Sequence, residues 1–122
     1  MKIAIPVEEK TLNTDVCVSF GRTPYFLIYD TETNEETYID NLAAEAQGGA
    51  GIKAGQVVID AGANAVIIPR LGQNAADVLA AGNIKLYKNE FGSAKHNIEL
   101  LQEEKLTQLT SFHAGFHGHG GF

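Results

Sequence analysis

The side chains of this chain that are able to do chemistry gather in three short stretches. The first is DVCVSFGR, residues 15–22, which holds the only cysteine among 122 residues. A thiolate is the natural ligand for iron in a cluster, although a lone cysteine serves equally well as a small, half-buried filler. One thiolate does not complete a cluster, so further ligands would come from elsewhere in the chain or from a partner. Read as an extended segment, Val16, Val18 and Phe20 line one side while Asp15, Cys17 and Ser19 line the other. The first side is expected to be core, and the second a ligand face. Gly21 then implies a tight bend that carries the Arg22 guanidinium toward the end of a sheet. Such a planar donor suits a carboxylate, a phosphate or the acidic arm of a cofactor, and its plain alternative is an ion pair with Asp15 or Asp30.

The second stretch is GGAG, in which Gly48, Gly49 and Gly51 precede a helical pattern. The free amides and dipole of a helix start favour an anion, while the simpler reading is that these glycines let the chain turn and pack closely. GGAGI lacks both GK[ST] and GxGxxG, which argues against a nucleotide site. The Arg22 bend and this helix start are expected at the same end of the sheet, outlining a pocket for a negative ligand. The third stretch is near the end, where His113, His117 and His119 form H-x3-H-x-H. Three imidazoles suit zinc, nickel or iron. Gly115, Gly118, Gly120 and Gly121 argue against a helix there, so the alternative is a flexible tail with no specific metal. His96 is expected on the surface of the last helix.

The elements that must position these groups follow from patterning. KIAIPV, residues 2–7, reads as a first strand ended by Pro6. YFLIYD, residues 25–30, suits a central strand, and residues 36–40 a more polar edge strand. Thereafter the pattern changes. Residues 51–61 read as a helix with Ile52, Gly55, Val58 and Ile59 on one face and Gly62 as a left-handed cap. AVIIP, residues 65–69, is a buried strand. Residues 74–81 read as a short helix with Asn74 as its cap and Asp77 in capping-box spacing. IKLY, residues 84–87, is another strand, and Ser93 opens a last helix directing Ile98, Leu100 and Leu101 inward. Hairpins followed by alternating helices and strands imply an antiparallel first half and a parallel second half. The expected architecture is an α/β, ribonuclease-H-like fold, with helices on the faces of a mixed five-stranded sheet. Residues 1–110 form one domain and residues 111–122 a flexible Gly/His-rich tail.

Composition narrows the function classes. The formal charge is −6, with scattered basic residues, which gives none of the positive field that nucleic-acid binding uses. No run approaches the roughly 18 apolar residues of a membrane span. A single cysteine and no leader-like start point to a reducing cytoplasm. The first strand carries no acid, so the paired-magnesium site of a nuclease is not expected. No Ser-His-Asp arrangement stands out.

Taken in order, FGRTPYFLIYD, GGAGIKAGQ, GQNAADVLAAG and IKLY resemble the dinitrogenase iron-molybdenum cofactor biosynthesis family, which includes NifX-like and NafY-like proteins and the last domain of NifB-like proteins. The resemblance spans about residues 1–104. It implies the same ribonuclease-H-like fold and a small carrier or chaperone for an iron–sulfur-type cluster or an iron-molybdenum-like cofactor, without turnover. The candidate cofactor-binding positions are Cys17, Ser19, Gly21, Arg22, Gly48, Gly49 and Gly51. Members that hold the cofactor commonly look like HFGR, and Ser19 stands in the place of that histidine. A hydroxyl is a poor ligand for a soft cluster, so cluster ligation at the motif falls to Cys17 or fails altogether. Two other functions compete. One is a docking or regulatory module, holding no metal, for an iron–sulfur assembly ATPase or maturation protein; on any of these readings the chain is expected to be a monomer or weak dimer. The other is a divalent-metal binder working through the histidine tail alone.

Overall fold

The computed structural model of the chain describes residues 1–113. Five strands form one mixed sheet: β1 (Lys2–Val7), β2 (Tyr25–Asp30), β3 (Glu36–Asp40), β4 (Ala65–Ile67) and β5 (Lys85–Tyr87), in the order β3-β2-β1-β4-β5. The strand β1, buried from Ile3 to Val7, is central, as an apolar run with no alternating polar residue requires. It pairs antiparallel with β2, Lys2 opposite Asp30 and Val7 opposite Tyr25, and parallel with β4, Ile3 opposite Ala65. The edge is β3, antiparallel to β2, and β4 and β5 are parallel. This is the expected ribonuclease-H-like α/β arrangement. The strand β1 does not stop at Pro6. The last β1–β4 pair is Ala4 with Val66, so the missing N–H of Pro6 falls beyond the parallel ladder. Its carbonyl accepts from the Cys17 N–H at 2.8 Å.

Alternation divides the core into two layers. Ala4, Phe26, Ile28, Val66 and Ile68 face helices α1 (Ala50–Asp60) and α2 (Gln73–Ala81), which bring Ala54, Val58, Ala76 and Leu79. Ile3, Ile5, Val7, Leu27 and Ile67 face α3 (Ala94–Gln102), which brings Ala94, Ile98 and Leu101. The helices α1 and α2 touch through glycine: a Cβ on Gly55 would meet Val78 Cγ1 at 3.0 Å. Ser93 caps α3 by accepting from the His96 N–H at 3.1 Å, and His96 is exposed. Gly62 adopts the left-handed φ of +81° expected after α1. The cap of α2 differs from expectation. Gly72, in extended conformation, is the N-cap, and Asp77 accepts from the Gln73 side chain at 2.7 Å instead of closing a capping box with Asn74.

After α3 the chain runs back along β5. The Lys88 N–H donates to Thr107 O at 2.8 Å and the Leu109 N–H to Leu86 O at 2.9 Å, which covers the β5 edge. Leu109 and Phe112 then pack on the α1–α2 layer. The chain continues to the start of α2, where His113 N–H donates to Leu71 O at 3.2 Å and Gln73 N–H donates to His113 O at 2.9 Å. The boundary expected after residue 110 therefore falls inside a docked segment that reaches His113. His117 and His119 lie outside the described residues. Among the described residues, no helix is long and apolar enough to cross a membrane.

Candidate functional site

At the carboxyl ends of β1 and β4 the chain leaves in two directions, from β1 back toward β2 and from β4 into α2. A crevice opens at such a divergence in an open α/β sheet. Here it is a cleft of about 750 Å³, walled by the β1–β2 loop, the approach to α1, the β4–α2 loop and His113. Six of the residues singled out in the glycine-rich and FGR stretches, Ser19, Gly21, Arg22, Gly48, Gly49 and Gly51, share this one wall.

The first loop is held by side-chain bonds to backbone. Buried Asn41 donates through Nδ2 to Gly21 O and Thr23 O, both at 3.0 Å, and accepts from the Ala43 N–H at 3.2 Å. Buried Thr23 sets its hydroxyl against Val7 O at 2.9 Å and Tyr25 O at 3.1 Å. Ser19 Oγ accepts from the Arg22 N–H at 3.1 Å, closing the turn over residues 19–22. Arg22 makes neither of the ion pairs considered for it. Its Nη1 donates to Ala44 O at 2.9 Å and Ala46 O at 2.6 Å, at the end of the short 3₁₀ turn Leu42–Glu45.

Gly21 is where this loop meets α1: a Cβ there would lie 3.0 Å from Gly51 N. No other residue type fits without moving the helix start. Gly49 caps α1 with a left-handed φ of +67°, a conformation glycine adopts freely. Neither α1 nor α2 has a side-chain cap or an acid in its first turn. The amides of Ala50 and Gly51 in α1 and of Asn74 in α2 thus have no side-chain cap, while the Gln73 N–H is taken by His113 O.

The expected face alternation of residues 16–20 fails. Val16 and Phe20 are buried, but Val18 is 65% exposed on the cleft wall and Cys17 is 7% exposed and absent from it. The Cys17 Sγ points to Ser19 O at 3.7 Å. The cause is that only Val16 bridges to a strand, opposite Val7, after which the chain turns, so the two-residue period has no ladder to maintain it. Ile52, expected on the inner face of α1, is likewise half-exposed on the cleft wall.

The electrostatics of the wall are one-sided. Arg22 and Arg70 lie on it, and none of the chain's 15 acidic residues does. Among the described residues neither arginine has a carboxylate within ion-pair distance. Asp30, held below the usual carboxylate range by the Glu32 N–H, and Tyr38, pushed up by burial and by Glu36, sit on β2 and β3 away from the cleft. Among the described residues no three His, Cys, Asp or Glu side chains come together to hold a metal ion. The donor set therefore fits an anion that brings its own ligands, and not a bare cation.

Sequence reasoning missed Arg70, Gly72 and Asn74. The signal was available in PRLGQN, directly after a buried strand parallel to β1. Parallel strands end on the same side, so their following loops meet.

Comparison with known proteins agrees with this fold. The family described as dinitrogenase iron-molybdenum cofactor matches residues 1–104. An uncharacterised protein of Methanocaldococcus jannaschii is 31% identical over 112 residues, covering 89% of this chain and 92% of that one. Among solved structures, the apo form of the orange protein from Desulfovibrio gigas superposes with a TM-score of 0.84 at 28% identity, over 88% of this chain and 92% of the other. A Thermotoga protein described as a NifB candidate of the DUF35 family superposes with a TM-score of 0.80 at 34% identity, over 94% and 98%.

Proposed function

Because the chain belongs to the dinitrogenase iron-molybdenum cofactor family, we propose that it is a non-enzymatic carrier that holds an anionic metal–sulfur cofactor in the cleft while that cofactor is assembled or handed on. One observation carries this reading: a cleft of about 750 Å³ with two arginines and no carboxylate, in a chain of net charge −6. Arg22 and Arg70 supply charge, and the amides of Ala50, Gly51 and Asn74 supply hydrogen bonds to sulfide or carboxylate of the cargo. Val18 and Ile52 supply apolar contact. The similar orange protein, whose structure was determined in an apo form, supports a role in holding something. Among the described residues the cleft wall holds no paired acid and base, and carriage requires none.

A second reading, a docking module that holds no metal, draws on the burial of Cys17 and the absence of a ligand cluster among the described residues. Its partner would be an iron–sulfur assembly ATPase or maturation protein. Metal capture by the tail histidines concerns His117 and His119, which the structure does not describe.

Anaerobic titration with isolated iron-molybdenum cofactor, read by visible absorption and native mass spectrometry, separates these readings. The carrier takes up one cofactor per chain, and Cys17→Ser takes it up equally because the thiol is outside the cleft. No uptake by the intact chain at micromolar concentrations would discard the carrier in favour of the docking module.

A further inference from the structure

Strand β3 is an outer strand of the sheet, paired with β2 on one side only. Its pairing fixes which of its groups are left over. The Asn41 N–H donates to Pro24 O and the Asp30 N–H to Glu35 O, both at 3.0 Å. The bonds of an antiparallel ladder alternate, so Glu35, Thr37, Ile39 and Asn41 bond inward to β2, while the amides and carbonyls of Glu36, Tyr38 and Asp40 point out from the sheet. The side chains of those same three residues share the α3 face, since Tyr38 packs on the Leu27 layer and Ile39 on the layer under α1 and α2. None of the three lines the cleft.

The chemistry of this edge is acidic and aromatic. Residues 30–40 hold Asp30, Glu32, Glu35, Glu36 and Asp40 and no lysine or arginine. Glu32 has the N-terminal ammonium at 3.6 Å, but Glu36 and Asp40 are exposed and have no cation within ion-pair distance among the described residues. On the same face Tyr25, Tyr29 and Tyr38 stay partly exposed over the core. One of these rings already takes a cation: Lys10 Nζ stands 5.0 Å from the centroid of Tyr25. The Tyr38 hydroxyl donates to Glu36 Oε1 at 2.7 Å, which holds ring and carboxylate side by side. A second copy of the chain is a poor match, because antiparallel pairing about Tyr38 sets Glu36 against Asp40 and in-register parallel pairing sets each acid against itself. We propose that β3 docks an extended basic segment of another protein, with arginine or lysine at every second position, which adds to the sheet as a further strand. Its main chain bonds the outward amides and carbonyls, and its alternate cations meet Glu36, the Tyr38 ring and Asp40. The site is separate from the cleft and stands whether or not the cleft carries a cofactor.

The test uses the full chain and two capped heptapeptides of identical composition, one with arginine and threonine alternating and one with its arginines in a single block. Affinity is read by isothermal titration calorimetry, and amide hydrogen exchange by NMR. The expected result is binding of the alternating peptide about tenfold tighter than the block peptide, with slowed exchange at the amides of Glu36, Tyr38 and Asp40. Reversing both charges, Glu36→Lys together with Asp40→Lys, should abolish this binding and create binding of a peptide alternating glutamate and threonine, a gain that damage to the fold cannot produce. Thr37→Lys, exposed on the opposite face, should still prefer the alternating arginine peptide. Equal affinity for the two arginine peptides would overturn the proposal, since net charge alone would then attract them. Binding that leaves the three amides unprotected, or no binding of either peptide at millimolar concentration, would overturn it as well. Protection of the same amides in the chain alone, growing with its concentration, would assign the edge to a second copy instead.

Discussion

Arg22 and Arg70 face the same cleft but are built in differently, and the difference predicts how each responds to substitution. Arg22 is committed through Nη1 to the carbonyls of Ala44 and Ala46, so it both charges the cleft and fastens the chain before α1. Arg22→Ala should therefore lower unfolding free energy by about 1 kcal/mol, the modest end for charge-assisted bonds at an exposed site, and weaken cofactor uptake as well. Arg70 is exposed in the β4–α2 loop. Arg70→Glu should leave denaturant stability within about 0.5 kcal/mol while weakening uptake about tenfold per unit of charge removed. Paired urea unfolding and cofactor titration read the two effects; equal stability loss in both variants would contradict this division. Cys17 shows why a residue's chemistry does not disclose its role. Its thiol made it a candidate ligand with a half-buried filler as the alternative, and packing places it inside the fold with 7% exposure.

The site is made where elements approach one another closely. The β1–β2 loop touches the first turn of α1 at Gly21, and α1 touches α2 at Gly51 and Gly55, where an added Cβ would lie 3.0–3.3 Å from its neighbour. Gly21→Val should push the loop off the helix start, at a stability cost of about 1–3 kcal/mol, and disorganise the amides of residues 50 and 51. Thermal unfolding and cofactor titration check it, with uptake expected to fall more than in Arg70→Glu; a variant of native stability and affinity would show that the contact is not needed. The elements themselves were largely legible. β2 and β3 match their expected bounds, Ser93 caps α3 as its sequence context indicates, and α1 and α2 each begin one residue early. The misreadings share a cause. Val18 and Ile52 are apolar and periodic, so pattern alone turns both inward, but Val18 lies past an isolated bridge and Ile52 in the first turn of α1, and both line the cleft.

At the scale of the molecule, the charge distribution is polarised: net −6 overall, with the cleft free of acids. An anionic cargo is repelled at long range and attracted only near the cleft mouth. Both terms are screened by salt, the distant one first. Raising salt from about 20 mM to about 0.5 M should therefore speed cofactor association, as the repulsive surface is screened, and also speed dissociation, as the arginines are screened. Stopped-flow absorption separates the two rates. Slower association at high salt would mean that the local arginines, and not the net charge, dominate the approach.

Hydropathy periods, glycine positions and strand–helix alternation sufficed to derive the mixed sheet and the meeting of the FGR bend with the glycine-rich helix start. Those features are local or follow from the handedness of connections, so they are written in short stretches of chain. Tertiary structure alone decided the burial of Cys17, the commitment of Arg22 to two carbonyls, the entry of Arg70 and the arrival of His113 at the wall. Each depends on contacts between residues more than 20 apart or on where a strand ladder stops, and no local period encodes either. His113 is the clearest case. It stood in a glycine-rich end with no pattern, and its place came from backbone bonds to Leu71 and Gln73 that only the assembled sheet presents.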